Sequence, residues 1–321
     1  MERPVLVTGA SGVVGSHVVR QLLHAGIGVV ATDMLPGPGP LLDRFDVPYE
    51  RVDVRDAPLL VEVIRSTRAT RVIHLAALVG EWYNRHPMGN HETNVGGTLN
   101  VLEAARLCGV ERVVFASTWS FYDVRGTAHG HPEYVPVPET MPPSPERPYE
   151  IAKYACERYA FWFRTMYGLE FAAMRFGNYY AAERIYHGNT RSAGPLMDLV
   201  TAAAARRPLR LERGADQGFD AIFVKDCAAG CVAAVLAEQT PSAVYNIGTG
   251  IASTLAQAAA ILREAEPAAD LTVGPGLLDA KHYCALDITR ARMELGYAPR
   301  FSFRDGLVEC MHELREELKR R

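Results

Sequence analysis

Tyr149 and Lys153 are spaced four residues apart in the segment RPYEIAKYACER, residues 147–158. Residues at this spacing on a helix share a face, so the phenol and the ammonium can approach the same point. A phenol with an ordinary pKa of about 10 is a poor base at neutral pH. A nearby ammonium favours the phenolate and moves that pKa towards the range in which a general base works. The same spacing also occurs by chance on surface helices, so its meaning depends on the rest of the chain.

A glycine-rich turn near the N-terminus predicts a site for a dinucleotide. The segment VTGASGVVG places Gly9, Gly12 and Gly15 between an apolar strand pattern and a helix that begins near Val13 and Val14. Glycines here let the turn tighten and let the backbone approach a pyrophosphate, which then lies on the N–H groups of the helix start. Three glycines alone also fit a simple tight turn, but the strand–turn–helix context favours cofactor binding.

Asp33 ends the second predicted strand, where a carboxylate accepts hydrogen bonds from the hydroxyls of an adenosine ribose and repels a 2′-phosphate. Met34 follows it, and not an arginine that would accommodate that phosphate. This pair of residues predicts NAD rather than NADP as the cofactor. A plain turn residue at the end of a strand is the alternative for Asp33.

Short apolar runs alternate with amphipathic stretches along the chain, and these elements must hold the residues above. Strands that are continuous apolar runs, each followed by a helix, are typical of a parallel sheet covered on both faces. The pattern predicts an α/β fold, a Rossmann-type doubly wound parallel sheet with a smaller C-terminal α+β substrate domain. Residues 1–177 and about 221–249 are predicted to form the NAD-binding Rossmann domain, and residues 178–220 and 250–321 the substrate-binding domain.

Composition argues against several classes of function. The chain has 321 residues and a net charge of −3, so no basic field attracts nucleic acid or anionic lipid. Its apolar runs are too short for a signal peptide or a membrane span, and six cysteines without a C-x-x-C pair suit a reducing cytoplasm. Cys227 and Cys231 are expected to be small buried side chains, and the histidines of HGH, residues 129–131, to be loop residues. No metal site is predicted.

Segments spread along nearly the whole chain resemble an extended short-chain dehydrogenase/reductase, from the family of NAD-dependent sugar epimerases and dehydratases. With Asp33, the matching segments are TGASGVVG (8–15), VDVRD (52–56), HLAA (74–77), TNVGGTLN (93–100), ASTWSFY (116–122), YEIAK (149–153), RFGNYY (175–180), YNIGTG (245–250) and DITRARMELGYAP (287–299).

The resemblance implies where the cofactor lies. Asp53 and Val54 match the residues that hold the adenine, and Ala76 and Ala77 match small residues whose backbone faces the cofactor. Asn94 matches a helix residue near the active-site strand and is expected at the cofactor site too.

The resemblance also implies the chemistry. Tyr149 and Lys153 match a catalytic pair, in which the tyrosine takes a hydroxyl proton from the substrate while hydride leaves for the nicotinamide, and the lysine also binds the nicotinamide ribose. Thr118 matches the hydroxyl residue that holds the reacting oxygen. The adjacent Ser117 is the other candidate and is expected beside the cofactor. Asn178 matches an asparagine that contacts the substrate, so a sugar-like small molecule is the expected partner.

Two departures from the family's pattern narrow the reaction. Trp119 and Ser120 follow Thr118 where sugar-nucleotide 4,6-dehydratases carry an Asp-Glu pair, which disfavours dehydration. Phe219 stands where nucleotide-sugar epimerases carry an arginine for the diphosphate, and the segment GPGLLDAKH lacks the second such arginine. Four cations are candidate substitutes, although each also fits a solvated surface position: Arg184, Arg191, Arg213 and Lys281.

Two activities stay open on these grounds. In the first, a sugar, nucleotide-linked or not, is epimerised through a transient ketone. In the second, a dehydrogenase acts on a free sugar, sugar acid or polyol and releases the ketone and NADH. A third hypothesis, a catalytically silent NAD-binding regulator, conflicts with the retention of Thr118, Tyr149 and Lys153, because such proteins typically lose the tyrosine or the lysine.

The resemblance further implies a homodimer that is joined through two long helices. Leu99, Leu102, Phe161 and Trp162 supply apolar side chains on these helices. Packing of the same side chains against the sheet is the alternative.

Overall fold

The structure is a computed structural model that describes residues 3–183, 194–278 and 283–320, apart from the side chains of Trp82 and Tyr83. In chain order its strands are β1 (Val5–Thr8), β2 (Val29–Asp33), β3 (Tyr49–Arg51), β4 (Arg71–His74), β5 (Arg112–Thr118), β6 (Glu170–Phe176), β7 (Asn178–Tyr180), β8 (Leu209–Leu211), β9 (Gly218–Phe223), β10 (Val244–Ile247), β11 (Ala252–Thr254) and β12 (Leu271–Val273). The α-helices are α1 (Val13–His24), α2 (Ala57–Thr67), α3 (Glu81–Asn84), α4 (Pro87–Asn90), α5 (Gly97–Cys108), α6 (Pro148–Tyr167), α7 (Gly194–Ala204), α8 (Val224–Leu236), α9 (Leu255–Ala265), α10 (Thr289–Leu295) and α11 (Phe303–Arg320).

A parallel sheet of seven strands forms the centre of the molecule, in the order β10-β6-β5-β4-β1-β2-β3. Its inner strands are almost wholly buried, as their apolar sequences VLVT (β1) and RVVFAST (β5) require. The chain winds in one direction from β1 to β3 and in the other from β4 onwards. The carboxyl ends of β1 and β4 therefore border a crevice, which is where ligands bind in doubly wound sheets. The Rossmann-type prediction is confirmed.

Helices cover both faces of this sheet. On one face, α1 and α8 pack together, and the predicted burial of Cys227 and Cys231 in α8 is confirmed because both lie in the apolar core there. On the other face lie α2, α5 and α6. Leu102 of α5 is completely buried in this second core and packs against the sheet, so it cannot be part of a dimer interface. Trp162 of α6, in contrast, is half exposed.

The helical run from Pro87 to Cys108 is not a uniform α-helix. Between α4 and α5 the residues His91–Gly96 form a π-helical turn. At the start of α5, a Cβ on Gly97 would come within 2.6 Å of Cγ2 of Val54, so the glycine permits close packing on the segment after β3. A π-helical turn within a helix frequently marks a functional site.

A smaller part of the molecule lies beyond the carboxyl ends of the large sheet. It contains the sheets β11-β9-β7 and β12-β8, and α7, α9 and α11 share its apolar core. Residue 221, a boundary in the predicted domain division, lies within strand β9. The division itself stays a prediction. The sequence pattern missed β7, β11, β12 and the short helix α10, because elements of three to seven residues carry little periodicity.

Within the described ranges, no helix is both long enough and apolar enough to cross a lipid bilayer.

Candidate active site

Two adjoining cavities open at the carboxyl ends of the large sheet. The first, of about 460 Å³, lies over the turn that contains Gly9, and we call it the glycine cavity. The second, of about 380 Å³, lies between β5, the start of α6 and the smaller part, and we call it the Asn178 cavity. Tyr149 borders both cavities, and so do Ser117, Phe176 and Tyr179. A group held by the Tyr149 phenol is therefore at the junction of two ligand-sized spaces.

The glycine turn is packed too tightly for any larger residue. A Cβ on Gly9, which has a φ of +67°, would lie 2.6 Å from the backbone nitrogen of Ala76, and a Cβ on Gly15 would lie 2.1 Å from the carbonyl oxygen of Gly9. Gly12 caps α1 without a side chain, so the first N–H groups of this helix face the glycine cavity. This cradle of backbone donors suits an anionic pyrophosphate.

Asp33 and Asp53 line the same cavity at the far side of the turn. Asp33 ends β2 and accepts the N–H group of Ser11 at 3.2 Å. Asp53 is held by a fork of hydrogen bonds from Arg55, at 3.0 and 2.6 Å, and these bonds lower the pKa of its carboxyl group. Both carboxylates are therefore fixed in direction. Of the residues predicted to bind the cofactor, all but Asn94 border this cavity: Gly9, Gly12, Val13, Val14, Gly15, Asp33, Asp53, Val54, Ala76, Ala77, Ser117, Tyr149 and Lys153.

Asn94 lies behind the wall of the glycine cavity. It is buried in the π-helical turn, where its side-chain oxygen accepts the N–H group of Leu78 at 2.7 Å and its side-chain nitrogen donates to the carbonyl oxygen of Leu78 at 2.9 Å. Leu78 itself lines the cavity. Asn94 therefore positions the wall and does not border the space that a ligand would fill, so the structure does not place it where the resemblance implied.

The N-terminus of α6 is fixed from both sides. The carboxylate of Glu150 accepts the backbone N–H groups of Glu146 at 2.9 Å and Arg147 at 3.2 Å. The N–H group of Tyr149 donates to the side-chain oxygen of Asn84, at the end of α3, at 3.2 Å. These bonds hold the backbone of the first turn in place, and Tyr149 of this turn borders both cavities.

Lys153 lies almost completely buried beneath Tyr149. Its Nζ donates to the carbonyl oxygen of Ala116 at 2.7 Å and lies 5.8 Å from the centre of the Tyr149 ring. Burial lowers the pKa of Lys153 to about 8. At pH 7 this amine still carries its proton in roughly nine of ten molecules. The structure thus brings a largely protonated ammonium to the phenol, as the sequence predicted.

A neutral histidine lies on the other side of this ammonium. His74 is buried at the end of β4 and bonds the hydroxyl oxygens of Thr8 at 2.7 Å and Thr98 at 3.1 Å. Burial, followed by the charge of Lys153, lowers its pKa to about 3. His74 therefore adds no second positive charge next to Lys153.

Ser117 and Thr118 end β5 but have different partners. The hydroxyl group of Ser117 donates to the buried carboxylate of Glu157 at 2.5 Å. The Thr118 hydroxyl oxygen accepts the N–H group of Ser120 at 3.1 Å, and the same hydroxyl group donates to the hydroxyl oxygen of Ser120 at 3.0 Å. Thr118 borders the Asn178 cavity together with Tyr149. This arrangement favours Thr118 over Ser117 as the hydroxyl that meets a substrate oxygen.

A buried network of polar side chains supports the end of β5. Glu157 lies two helical turns after Tyr149 and receives Nε of Arg175 at 3.0 Å and Nη2 at 2.6 Å. Arg175 also donates to the hydroxyl oxygen of Tyr122 at 2.6 Å, and Tyr122 donates to the side chain of Asn246 at 3.0 Å. The network joins α6 to β6 and β10. The repeated spacing of four residues from Tyr149 to Lys153 to Glu157 was a signal that sequence reasoning missed.

Comparison with known proteins agrees with the geometry of the site. The sequence profile of the NAD dependent epimerase/dehydratase family matches residues 5–248. The chain belongs to this family.

Relatives of this family match along most of the chain. A UDP-glucose 4-epimerase of Mycolicibacterium smegmatis is 30% identical over 324 residues, which cover 97% of this chain and 98% of the relative. The crystal structure of UDP-glucose 4-epimerase with UDP-glucose from Thermotoga maritima is 28% identical in sequence and superimposes with a TM-score of 0.84. The match covers 98% of this chain and 99% of that chain. The Thermus thermophilus UDP-glucose 4-epimerase complex with NAD is 31% identical, has a TM-score of 0.81, and is covered over 97% and 99%.

The protein is an NAD-dependent enzyme of the extended short-chain dehydrogenase/reductase type, which confirms the family, the cofactor and the enzyme class predicted from the sequence. Its own residues fit NAD, because the glycine cradle would hold a pyrophosphate and Asp33 would face the adenosine ribose. When bound, NAD would supply the acceptor for a hydride that leaves the substrate.

One wall of the Asn178 cavity is aromatic. Phe219, at the position where the resemblance implied an arginine, is buried, and its ring centre lies 5.8 Å from that of Tyr283. Trp119 packs against the same tyrosine at 6.3 Å. Asn178 borders this cavity, as predicted, and so does Gln217.

The candidate substitute cations fall in different places. Arg213 is described, is exposed, and does not border the Asn178 cavity. Arg184, Arg191 and Lys281 lie outside the described residues. The cavity instead contains Arg147, which sequence reasoning missed together with Asn84, Gln217 and Tyr283.

The HGH loop lies away from both cavities. His129 bonds the carbonyl oxygen of Val135 at 2.8 Å, and His131 packs on the ring of Tyr134. In the described part of the chain, no three side chains suited to bind a metal ion come together.

Proposed function

We propose that the protein is an epimerase that inverts a secondary alcohol of a nucleotide-linked sugar through a transient ketone, with NAD bound throughout. The observation that carries the proposal is the position of Tyr149, which borders both the cavity that fits NAD and the cavity that contains Thr118 and Asn178. The named relatives, which are UDP-glucose 4-epimerases matching nearly end to end, support a nucleotide-linked sugar.

The residues of the chain divide the work as follows. Thr118 holds the reacting oxygen by a hydrogen bond, and Tyr149 takes the hydroxyl proton as the carbon gives up its hydride. Lys153 lies beneath the ring and stabilises the phenolate, which makes this proton transfer favourable near neutral pH. The ketone then rotates in the cavity, so that the hydride returns to its opposite face and Tyr149 gives the proton back to the oxygen. Because the hydride and the proton both return to the sugar, the net change is inversion at one carbon atom.

A second candidate is a dehydrogenase of a free sugar, sugar acid or polyol that releases the ketone and NADH. The aromatic wall around Phe219 favours it, because an apolar ring stands where the resemblance implies a contact to a diphosphate. The two activities differ in their product. With excess NAD and substrate, an epimerase converts the sugar without accumulating NADH absorbance, whereas sustained accumulation of NADH identifies the dehydrogenase.

The variant Tyr149→Phe tests the proposed base. Loss of a positioned general base is expected to lower turnover by about 10²- to 10⁴-fold, while NAD affinity stays close to that of the wild type. Tyr167→Phe is the matched control, since Tyr167 lies at the other end of the same helix and is exposed, and turnover of this variant should not change. If Tyr149→Phe turned over substrate like the wild type, the assignment of the base would be wrong.

We also propose that α5 and α6 form the interface of a homodimer. Tyr159, Trp162 and Met166 of α6 are 45%, 49% and 58% exposed, which leaves a large apolar strip on this helix. Strips of this size on a soluble protein commonly mark an interface. Sedimentation should show a dimer for the wild type and a monomer for Trp162→Glu, and a wild-type monomer at micromolar concentration would refute the proposal.

A further inference from the structure

The Asn178 cavity contains a cation, Arg147, that has no ion-pair partner among the residues that the structure describes. Of its described lining residues, Arg147 and Glu150 carry a full charge at neutral pH. The Glu150 carboxylate is buried and accepts two backbone N–H groups at the start of α6. The guanidinium group of Arg147 makes no hydrogen bond or ion pair with the described residues, and its side chain is exposed.

The neighbouring acid is engaged elsewhere. Glu146 pairs with Arg125 at 3.1 Å, and Arg125 in turn bonds Asp123. The guanidinium group of Arg147 is therefore available to an anion that enters the cavity.

The backbone of Arg147 is nevertheless held firmly. Glu150 binds its N–H group, and Pro148 restricts the residue to an extended conformation before the helix. Tyr149 follows two residues later and borders the same cavity. The guanidinium group is thus tethered close to the proposed base, where a planar fork of donors suits the paired oxygens of a carboxylate or a phosphate.

We propose that Arg147 binds an anionic group of the substrate, either a carboxylate on the sugar or a phosphate of its nucleotide, and so selects substrates that carry this anion over uncharged sugars. This inference rests on the proposed function, because it assumes that the Asn178 cavity holds the substrate. Arg147 would thereby supply the cationic contact that Phe219 cannot supply.

The test uses the NAD-loaded Tyr149→Phe protein, which should bind a substrate without converting it. Calorimetry measures the affinity of three probes: UDP-glucose, which carries phosphates, glucuronate, which carries a carboxylate, and glucose, which is neutral. Each probe is tested on this protein and after a further change, Arg147→Gln, Arg147→Lys or Arg213→Gln. The last is the matched control, because Arg213 is an exposed arginine outside the cavity.

At least one anionic probe should bind more tightly than glucose. Arg147→Gln should weaken that probe by about 10- to 100-fold, the value of a charge-assisted hydrogen-bonded pair, whereas Arg147→Lys should restore part of the loss and Arg213→Gln should change nothing. An effect confined to UDP-glucose identifies a phosphate as the anion, and one confined to glucuronate identifies a carboxylate. Unchanged NAD affinity shows that each variant is folded.

The proposal is overturned if Arg147→Gln binds both anions like its parent, if neither anion binds better than glucose, or if Arg213→Gln causes the same loss. Failure of the proposed function is a separate result. It would be seen with Tyr149 intact, as absence of inversion of any nucleotide-linked sugar, whatever the binding of the anions.

Discussion

Glu157→Gln removes one charge from the buried network at the end of β5 while keeping the shape of the side chain. Glu157 and Arg175 are 1% and 4% exposed, so the variant leaves a guanidinium group buried without its counter-ion. Breaking a buried pair in this way costs about 3–5 kcal/mol of the free energy of unfolding. Arg175 keeps its bonds to the Tyr122 hydroxyl and to the carbonyl oxygen of Glu139, and the new amide oxygen still accepts one bond. We therefore expect the lower end, about 3 kcal/mol.

The same change should also reach the chemistry. Ser117 donates to Glu157 and directly precedes Thr118, which holds the reacting oxygen in the proposed mechanism. A weaker acceptor lets the end of β5 move, and small errors in position at a reacting centre lower turnover by about tenfold or more. NAD affinity should change much less, because the glycine cradle lies on other strands.

Urea unfolding followed by circular dichroism measures the first effect, and steady-state turnover measures the second. The control is Glu264→Gln, which removes the same charge from an exposed pair with Arg304 and should leave stability within experimental error. If Glu157→Gln unfolded within about 1 kcal/mol of the wild type, the network would not stabilise the fold as argued here.

Two further predictions concern the cofactor site. Gly15→Ala places a Cβ 2.1 Å from the Gly9 carbonyl oxygen and 2.8 Å from Cα of Ala10. Because the main chain must move, we expect a loss of about 1–3 kcal/mol in the free energy of unfolding, and NAD titration should show weaker binding. The control is Gly37→Ala, which should be neutral because a Cβ at this position meets nothing within 4 Å. Equal behaviour of the two variants would contradict the proposed role of the glycine turn. Lys153 has a pKa of about 8 and is protonated below that pH, so turnover should fall as pH rises through 8. Lys153→Arg keeps its charge at higher pH and should be slower but should lose this alkaline limb, and a pH profile that retains the limb would show that another group causes it.

The sequence predicted the parts of the site that local patterns encode. The three glycines, Asp33 and the Tyr149/Lys153 pair each lie at a recognisable junction of strand, turn and helix, and the structure brings them to one cavity. Their positions follow from backbone geometry and from the parallel sheet, which places every strand end at one edge.

Residues brought in from elsewhere could not be found in this way. Tyr283 reaches the Asn178 cavity from near the C-terminus, and Asn84 reaches it from the short helix α3. Neither lies in a pattern with a period, so only the folded chain shows their role. Arg147 was passed over because a charged residue before a helix usually looks like an ordinary surface residue.

The resemblance also did not distinguish residues that border the cofactor cavity from residues that lie behind them. Asn94 was expected at the cofactor, but its amide bonds the backbone of Leu78 and the side chain of Asn90. The π-helical turn that carries it inserts into a run of helix that the polar and apolar pattern describes as continuous. A sequence pattern reports which face of a helix is buried, and not which buried atoms already have partners.

Among the described residues, Ser117, Tyr149, Phe176 and Tyr179 border both cavities, whereas the smaller part of the molecule otherwise lines the Asn178 cavity alone, through Gly194, Pro195, Leu196, Gln217, Phe219, Leu255, Leu278 and Tyr283. Substitutions in the smaller part can therefore reshape what the enzyme accepts without retuning its redox centre. Natural variation has the same freedom, so new specificities can arise on this scaffold by exchange of loops while the hydride-transfer apparatus is inherited intact. For enzyme engineering, each cavity can therefore be altered separately, except at the four residues that border both.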